Sequence, residues 1–230
     1  MNLVIFDCDG TLVDSQGMIC AAMQQAYGAH GLSVPPREQL LAIVGLSLPD
    51  AFRRLAQCEK NGADHPVNSL VEQYRIAFAA LRQSEQHLEP LYPGARDAID
   101  ALTARCDIVL GIATGKSQRG VRAVLGRHGL SDRFVTIQTA DDAPSKPHPG
   151  MVLAAMREAG VAAPDTVVVG DTVFDVEMAR AAGARSIGVA WGYHPVPALV
   201  DAGADAIIAD FSELAGALDR LWCRADAAPT

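Results

Sequence analysis

The sequence predicts an α/β fold: a parallel sheet covered by helices on both faces, interrupted early by an all-helical insertion. Three observations carry this. Runs such as Leu3-Val-Ile-Phe6 and Thr166-Val-Val-Val169 lack the polar and apolar alternation of a half-exposed strand, as strands buried on both faces do. From about residue 91 onward, strand-like and helix-like segments alternate, the order that right-handed crossovers turn into a parallel sheet. Between the first strand and that region lie about 75 residues with helical periodicity and no strand pattern, which is best explained as an insertion.

Taken in order, the first strand ends in Asp7-Cys8-Asp9-Gly10-Thr11, so it opens into a polar loop. Met18, Ile19, Ala22, Met23, Ala26 and Tyr27 then recur at helical spacing until Gly28 to Gly31. Further helices are predicted over 37–44, 49–60 and 67–88, punctuated by Pro35-Pro36, Gly45, Pro49 and Asn61-Gly62. After Leu91-Tyr-Pro93-Gly94 the pattern predicts a helix to about 105, a strand over 108–112 and a helix after Ser117. A strand over 134–138, a helix after Pro149, a strand over 166–169 and a helix over 174–182 follow. The chain closes with a strand over 186–189, a short helix over 196–202, a strand over 206–208, a helix from 211 and a frayed tail from Ala225 to Thr230. The first strand is expected at the centre of the sheet.

Composition narrows the function. A chain of 230 residues suits one medium domain, or a domain carrying a smaller inserted one. The formal net charge is -8 and no basic run is visible, which argues against a nucleic-acid surface, because neutralising phosphate backbones requires clustered Lys and Arg. The five cysteines are scattered with no C-x-x-C pair, so reduced thiols buried as small hydrophobes are expected, not a disulfide framework or a zinc site. No basic segment precedes an apolar one ahead of the first strand, so no signal peptide is expected. No apolar run approaches the roughly 18 residues that cross a bilayer. The expected compartment is the cytoplasm.

Four segments carry chemistry. Asp7 and Asp9 flank Cys8 at a strand end, the edge of an open α/β sheet where ligands bind, and are expected to project differently and take different parts. A carboxylate there can attack an electrophile, and a second can move a proton. Ala113-Thr114-Gly115-Lys116-Ser117 closes the strand over 108–112 with a hydroxyl and backbone N–H groups facing an anion. A plain turn with Ser117 as N-cap explains the same residues. A phosphate-wrapping P-loop does not, since three residues separate Gly111 from Gly115 where that loop has four. Lys146, one of three lysines (Lys60, Lys116, Lys146), sits among Pro144, Pro147 and Pro149, which stiffen its approach. His148 reads as a loop or helix-start residue, and Asp141 and Asp142 as solvated loop acids. Gly170-Asp171-Thr-Val-Phe-Asp175 adds two carboxylates at another strand end, a donor set that suits a hard cation such as Mg²⁺, although a turn with Asp175 at a helix start also explains it.

Phe6 to Ser15 resembles the first signature of the haloacid dehalogenase-like superfamily in its large phosphatase branch. Thr114, Lys146 and Asp171 with Asp175 match the second, third and fourth motifs in order. The resemblance implies a Rossmann-like core with Asp7 as nucleophile and Mg²⁺ ligand. It implies Asp9 as general acid/base that also binds Mg²⁺ through its backbone carbonyl, Thr114 and Gly115 at the phosphate, and Lys146 balancing its charge. Asp171 is implied as a direct Mg²⁺ ligand, and Asp175 as a ligand through water or a partner of Lys146. It implies a catalytic core at 1–15 and 90–230 and a helical cap at 16–89, opening between segments near 15–17 and 86–93. By position, Ile43 to Pro49 is the candidate substrate-facing loop, with Gly45 allowing close approach and Ser47 offering a hydroxyl; an ordinary helix-helix turn explains it equally. Arg53, Arg54 and Arg75 read as solvated helix-face residues.

The closest resemblance is to phosphoglycolate phosphatase-like proteins, which implies a Mg²⁺-dependent phosphatase of a small phosphomonoester, with 2-phosphoglycolate as a candidate, acting as a monomer or homodimer without nucleic-acid or membrane partners. Two alternatives belong to the same superfamily. A sugar phosphomutase is disfavoured because Leu48 stands where an Arg or Lys is expected. A 2-haloacid dehalogenase is disfavoured by Asp9 and Asp171. A catalytically silent phosphate-binding module is the reading from another class.

Overall fold

Six short strands line up as one parallel sheet because each ends in a loop and returns through a helix. The computed structural model describes residues 1–58, 65–83 and 89–226. The strands are β1 (Asn2–Phe6), β2 (Ile108–Thr114), β3 (Thr136–Thr139), β4 (Thr166–Gly170), β5 (Arg185–Val189) and β6 (Ala206–Ile208), in spatial order β3-β2-β1-β4-β5-β6. Every pairing is parallel, and β1 lies inside the sheet between β2 and β4. The fold class is therefore the expected Rossmann-like α/β sheet.

The helices between β1 and β2 are α1 (Gln16–Ala29), α2 (Arg37–Leu41), α3 (Leu48–Cys58), α4 (Val67–Arg82) and α5 (Ala95–Thr103). Those after β2 are α6 (Gln118–Arg127), α7 (Gly150–Ala159), α8 (Val173–Ala181), α9 (Val196–Ala202) and α10 (Leu214–Asp226). Alternation along β1 sorts its side chains between two cores. Val4 and Phe6 join Ile99 of α5, Val121 of α6 and Leu218 of α10, whereas Leu3 and Ile5 join Met151 of α7 and Met178 of α8. The sheet is thus covered on both faces, the physical reason its strands read as continuous apolar runs.

Helices α1 to α4 bury a third core of their own, in which Tyr27 lies 6.0 Å from Phe52 and Phe52 lies 6.2 Å from Tyr74, centroid to centroid. Tyr193, from the loop after β5, packs against it.

Several boundaries differ from the sequence expectation. Helix α2 stops at Leu41, short of 44, because residues 42–46 tighten into successive turns with Val44 N–H bonded to Leu41 O and Leu46 N–H to Ile43 O. Strand β2 runs two residues further, so Thr114 is its last residue and not part of the following loop. Strand β3 begins at Thr136, paired opposite Gly111, instead of at Phe134. A 3₁₀ turn over Ala163–Asp165 had no periodic signal. Cys8 and Cys20 are buried as expected, but Cys58, Cys106 and Cys223 are exposed, because they fall at helix ends or in a loop off the apolar faces. Ala225 and Asp226, the expected start of the tail, fall within the range of α10. The expected helix ends at 59–60 and 84–88, Lys60, the Asn61-Gly62 breaker, part of the second opening segment and the tail beyond Asp226 lie outside the described residues.

Phe52→Ala removes a fully buried ring from the core of α1 to α4 and should cost about 3–5 kcal/mol of stability. Urea unfolding followed by far-ultraviolet circular dichroism measures it; a loss below about 1 kcal/mol would mean that this core collapses around the gap.

Candidate active site

The sheet order brings three strand ends together. β2, β1 and β4 are neighbours, so Thr114, Asp7 and Asp171 leave the same carboxyl edge, and the N–H of Asp7 extends the ladder by donating to Val169 O at 2.9 Å. Asp7 keeps the parity of Leu3 and Ile5 and points to the α7 and α8 side, where Lys146 precedes α7 and Asp175 lies in the first turn of α8.

There Lys146 Nζ donates to Asp7 Oδ1 at 2.7 Å and to Asp175 Oδ1 at 2.6 Å. Asp175 Oδ2 accepts from the backbone N–H of Thr172 at 3.1 Å and its hydroxyl at 2.6 Å, which fastens the start of α8. Asp171 Oδ1 accepts from Thr11 Oγ1 at 2.9 Å and Oδ2 from the N–H of Tyr193 at 2.9 Å. Gly10, at φ +89°, is required here: a Cβ on it would stand 2.3 Å from Asp171 Oδ2.

Asp7, Asp171 and Asp175 are buried and offer oxygens within 4.8 Å of one another. One ammonium against three carboxylates leaves the cluster two charges short of neutral, and buried uncompensated charge is costly. Burial accordingly pushes the Asp7 carboxyl up to about 6, against the opposing pull of Lys146 and with the help of Asp175. Burial and then the charges of Asp7 and Asp175 hold Asp171 well above the usual carboxylate range. Burial alone would lower Lys146, but Asp175 and Asp7 outweigh it and keep it protonated. Asp7 Oδ2 is buried without a hydrogen-bond partner among the described residues. An oxygen-only donor set with a charge deficit fits a hard divalent cation.

Asp9 goes elsewhere. Strand parity would aim it like Asp7, but the chain has left the sheet, and Asp9 Oδ1 meets Lys116 Nζ at 2.6 Å. Lys116 also lies 2.9 Å from Glu89 Oε1, whose Oε2 accepts from Arg82 Nε at 3.0 Å. Phe78 of α4 lies under both cations, 5.1 Å from Lys116 and 5.0 Å from Arg82. Sequence reasoning missed Lys116 and Glu89 as site residues: the first was weighed only within the rejected P-loop, and a lone glutamate carried no pattern. Thr11, Thr172 and Tyr193, which fasten the carboxylates, were likewise unmarked.

The remaining expected residues sort clearly. Thr114 is buried at the end of β2, and its hydroxyl accepts from the N–H of Lys116 at 3.3 Å. Gly45 (φ +99°) and Leu46 present carbonyls where a Cβ on Gly115 would come within 2.6 Å, so Ile43 to Pro49 does pack over the strand edge. The Ser47 hydroxyl donates to Asp50 Oδ2 at 2.6 Å, while its N–H donates to Ser145 Oγ at 2.8 Å. Ser117 caps α6 through Gly120 N–H. His148 Nδ1 accepts from Gly150 N–H, Asp141 accepts from Gln118 N–H, and Asp142 accepts from Thr139 and Gln118 side chains, so these three brace loops and helix starts. Arg53, Arg54 and Arg75 are exposed as expected.

A site of strand-end carboxylates around one buried lysine, on a parallel sheet with a helical insertion, is that of a hydrolase class whose model matches residues 4–189; the chain belongs to the haloacid dehalogenase-like hydrolases. It is similar to the probable phosphatase IndB of Dickeya dadantii, 36% identical over 222 residues that cover 95% of this chain and 94% of that protein. A phosphoglycolate phosphatase of Agrobacterium fabrum is 32% identical over 220 residues, covering 94% and 91%. A hydrolase structure from Pseudomonas syringae superposes with a TM-score of 0.83 at 27% identity, covering 96% of this chain and 99% of that one. These relatives put the chain in the phosphoglycolate phosphatase-like branch.

In metal-free buffer, the raised pKa of Asp7 implies a stability contribution that is fully present below its unfolded value of 3.8 and lost as pH rises through about 6. The size is roughly 3 kcal/mol. Thermal unfolding from pH 4 to 7.5 should show that loss in the wild type and a weaker one in Asp7→Asn. Adding millimolar Mg²⁺ at pH 7.5 should raise the Tm, and less so in Asp171→Asn; an unchanged Tm would count against a cation at this cluster.

Proposed function

We propose that this chain hydrolyses a small-molecule phosphomonoester in the cytoplasm, with Mg²⁺ held by Asp7, Asp171, Asp175 and the backbone carbonyl of Asp9. The observation that supports it best is the division of two neighbouring carboxylates between two lysines, Asp7 with Lys146 and Asp9 with Lys116. The enzyme is a phosphoric monoester hydrolase. The phosphoglycolate phosphatase among its relatives makes 2-phosphoglycolate the reference substrate.

Asp7 attacks phosphorus in line and the bond to the alcohol oxygen breaks, leaving an aspartyl phosphate. Asp9 gives a proton to the departing alcohol. It then takes a proton from water, which attacks the same phosphorus and releases the Asp7 carboxylate. Lys146 keeps Asp7 ionised for attack, and Thr114 with the N–H of Gly115 donates to the equatorial oxygens. Mg²⁺ held by these carboxylates would supply charge neutralisation for the phosphoryl group. Residues 1–15 and 90–230 act as the catalytic core and 16–89 as a cap, with Gly45 and Ser47 on the cap loop that meets the strand edge. Substrate enters as the cap opens, as a monomer or homodimer.

Phosphate release from a panel of esters, with Mg²⁺ and with chelator, tests the reading. Asp7→Asn should abolish turnover, and Asp9→Asn should lower kcat by about 10²–10⁴-fold while substrate still binds. Wild-type rates in a folded Asp7→Asn protein would eliminate the aspartyl-phosphate route.

A further inference from the structure

Next to Asp7 and Asp9 lies a cavity of about 370 Å³, closed by α1, the Ile43 to Leu48 stretch and α4 on one side and by the start of α6 on the other. That volume is in the range of about 300–1,000 Å³ that holds drug-sized ligands, far more than a two-carbon acid fills. Its wall on the α1 to α4 side is largely apolar: Ile19, Met23, Val44, Leu48 and Phe78 all contribute.

The charges along it are already matched. Lys116 is shared by Asp9 and Glu89, and Arg82 takes the other oxygen of Glu89. The remaining cations of the wall, Arg75 and Arg119, are exposed, where solvent screening leaves an ion pair little strength. An anionic leaving group would therefore forfeit its hydration in a largely apolar chamber whose buried cations, Lys116 and Arg82, already face carboxylates. One donor of this wall remains to be satisfied. Arg82 Nη2, on the guanidinium that Glu89 already pairs, is buried without an acceptor among the described residues.

We infer that the preferred substrate is the phosphomonoester of an uncharged alcohol with a sizeable apolar body and a hydrogen-bond acceptor, of the aryl or nucleoside kind, in preference to an ester of a small anionic acid. As a statement about substrates this rests on the phosphatase reading above. Leu48, half-buried at the start of α3, is the residue of this wall at which charge decides the preference.

The test compares kcat/KM for phenyl phosphate, a nucleoside 5′-monophosphate and 2-phosphoglycolate under saturating Mg²⁺, and the binding of the same esters to Asp7→Asn by calorimetry. The uncharged-alcohol esters should lead by about tenfold or more, and Leu48→Lys should move the ratio toward 2-phosphoglycolate by a similar factor. Turnover of 2-phosphoglycolate at or above the other two would overturn the inference and leave the phosphatase reading intact. No turnover of any ester, with the binding order to Asp7→Asn still favouring the uncharged alcohols, would remove the phosphatase reading and retain the assignment of the cavity. Absence of both turnover and a binding order would remove both.

Discussion

Lys146, buried between Asp7 and Asp175, is the interaction on which the site depends. Three carboxylates cannot share a dry strand edge unless positive charge is built in with them, and removing one partner of such a buried pair typically costs about 3–5 kcal/mol. Lys146 comes from the loop before α7, Asp7 from the end of β1 and Asp175 from the first turn of α8. The ammonium thus ties three connections of the sheet together, and the hydroxyl and N–H of Thr172 extend that tie to the helix start. What the lysine leaves uncompensated is the capacity for a divalent cation.

The two lysines divide the site into two halves, one around Asp7 and one around Asp9. On the first, Lys146 holds Asp7 among groups anchored in the core. On the second, Lys116 holds Asp9 in a chain of charges through Glu89 to Arg82, with Phe78 of the helical insertion stacked under both cations. Asp9 is thereby linked through Lys116 to the helical insertion. His194 adds a second tie, its ring nitrogens meeting the N–H of Val173 and the carbonyl of Ala42; burial lowers its pKa, which favours the neutral ring that can accept the first bond and donate the second.

Legibility followed local pattern. β1, β4 and β6 were readable because apolar runs between turn signals leave few alternatives, and α9 because Pro195 and Gly203 bracket it. The ends of α2 and β3 were not, since they depend on where the chain meets its neighbours: the turns at 42–46 seat Gly45 against Gly115, and β3 starts where Gly111 offers a partner. Asp7, Thr114, Lys146, Asp171 and Asp175 stood out because each sits at a strand end or in a stiffened loop. Glu89 had no such marker, and its meaning comes from Lys116 and Arg82, far from it or outside any motif.

The sequence by itself determined the sheet, its helical insertion and the cluster of Asp7, Lys146, Asp171 and Asp175, because strand periodicity and strand-end chemistry are local. Only the tertiary structure decided that Asp9 belongs to Lys116 instead of sharing Asp7's lysine, that Ser47 spends its hydroxyl on Asp50, and that the cavity beside them has a largely apolar wall. Those facts depend on distances between residues up to about a hundred positions apart in the chain, such as Asp9 and Lys116, and packing, not local propensity, sets such distances.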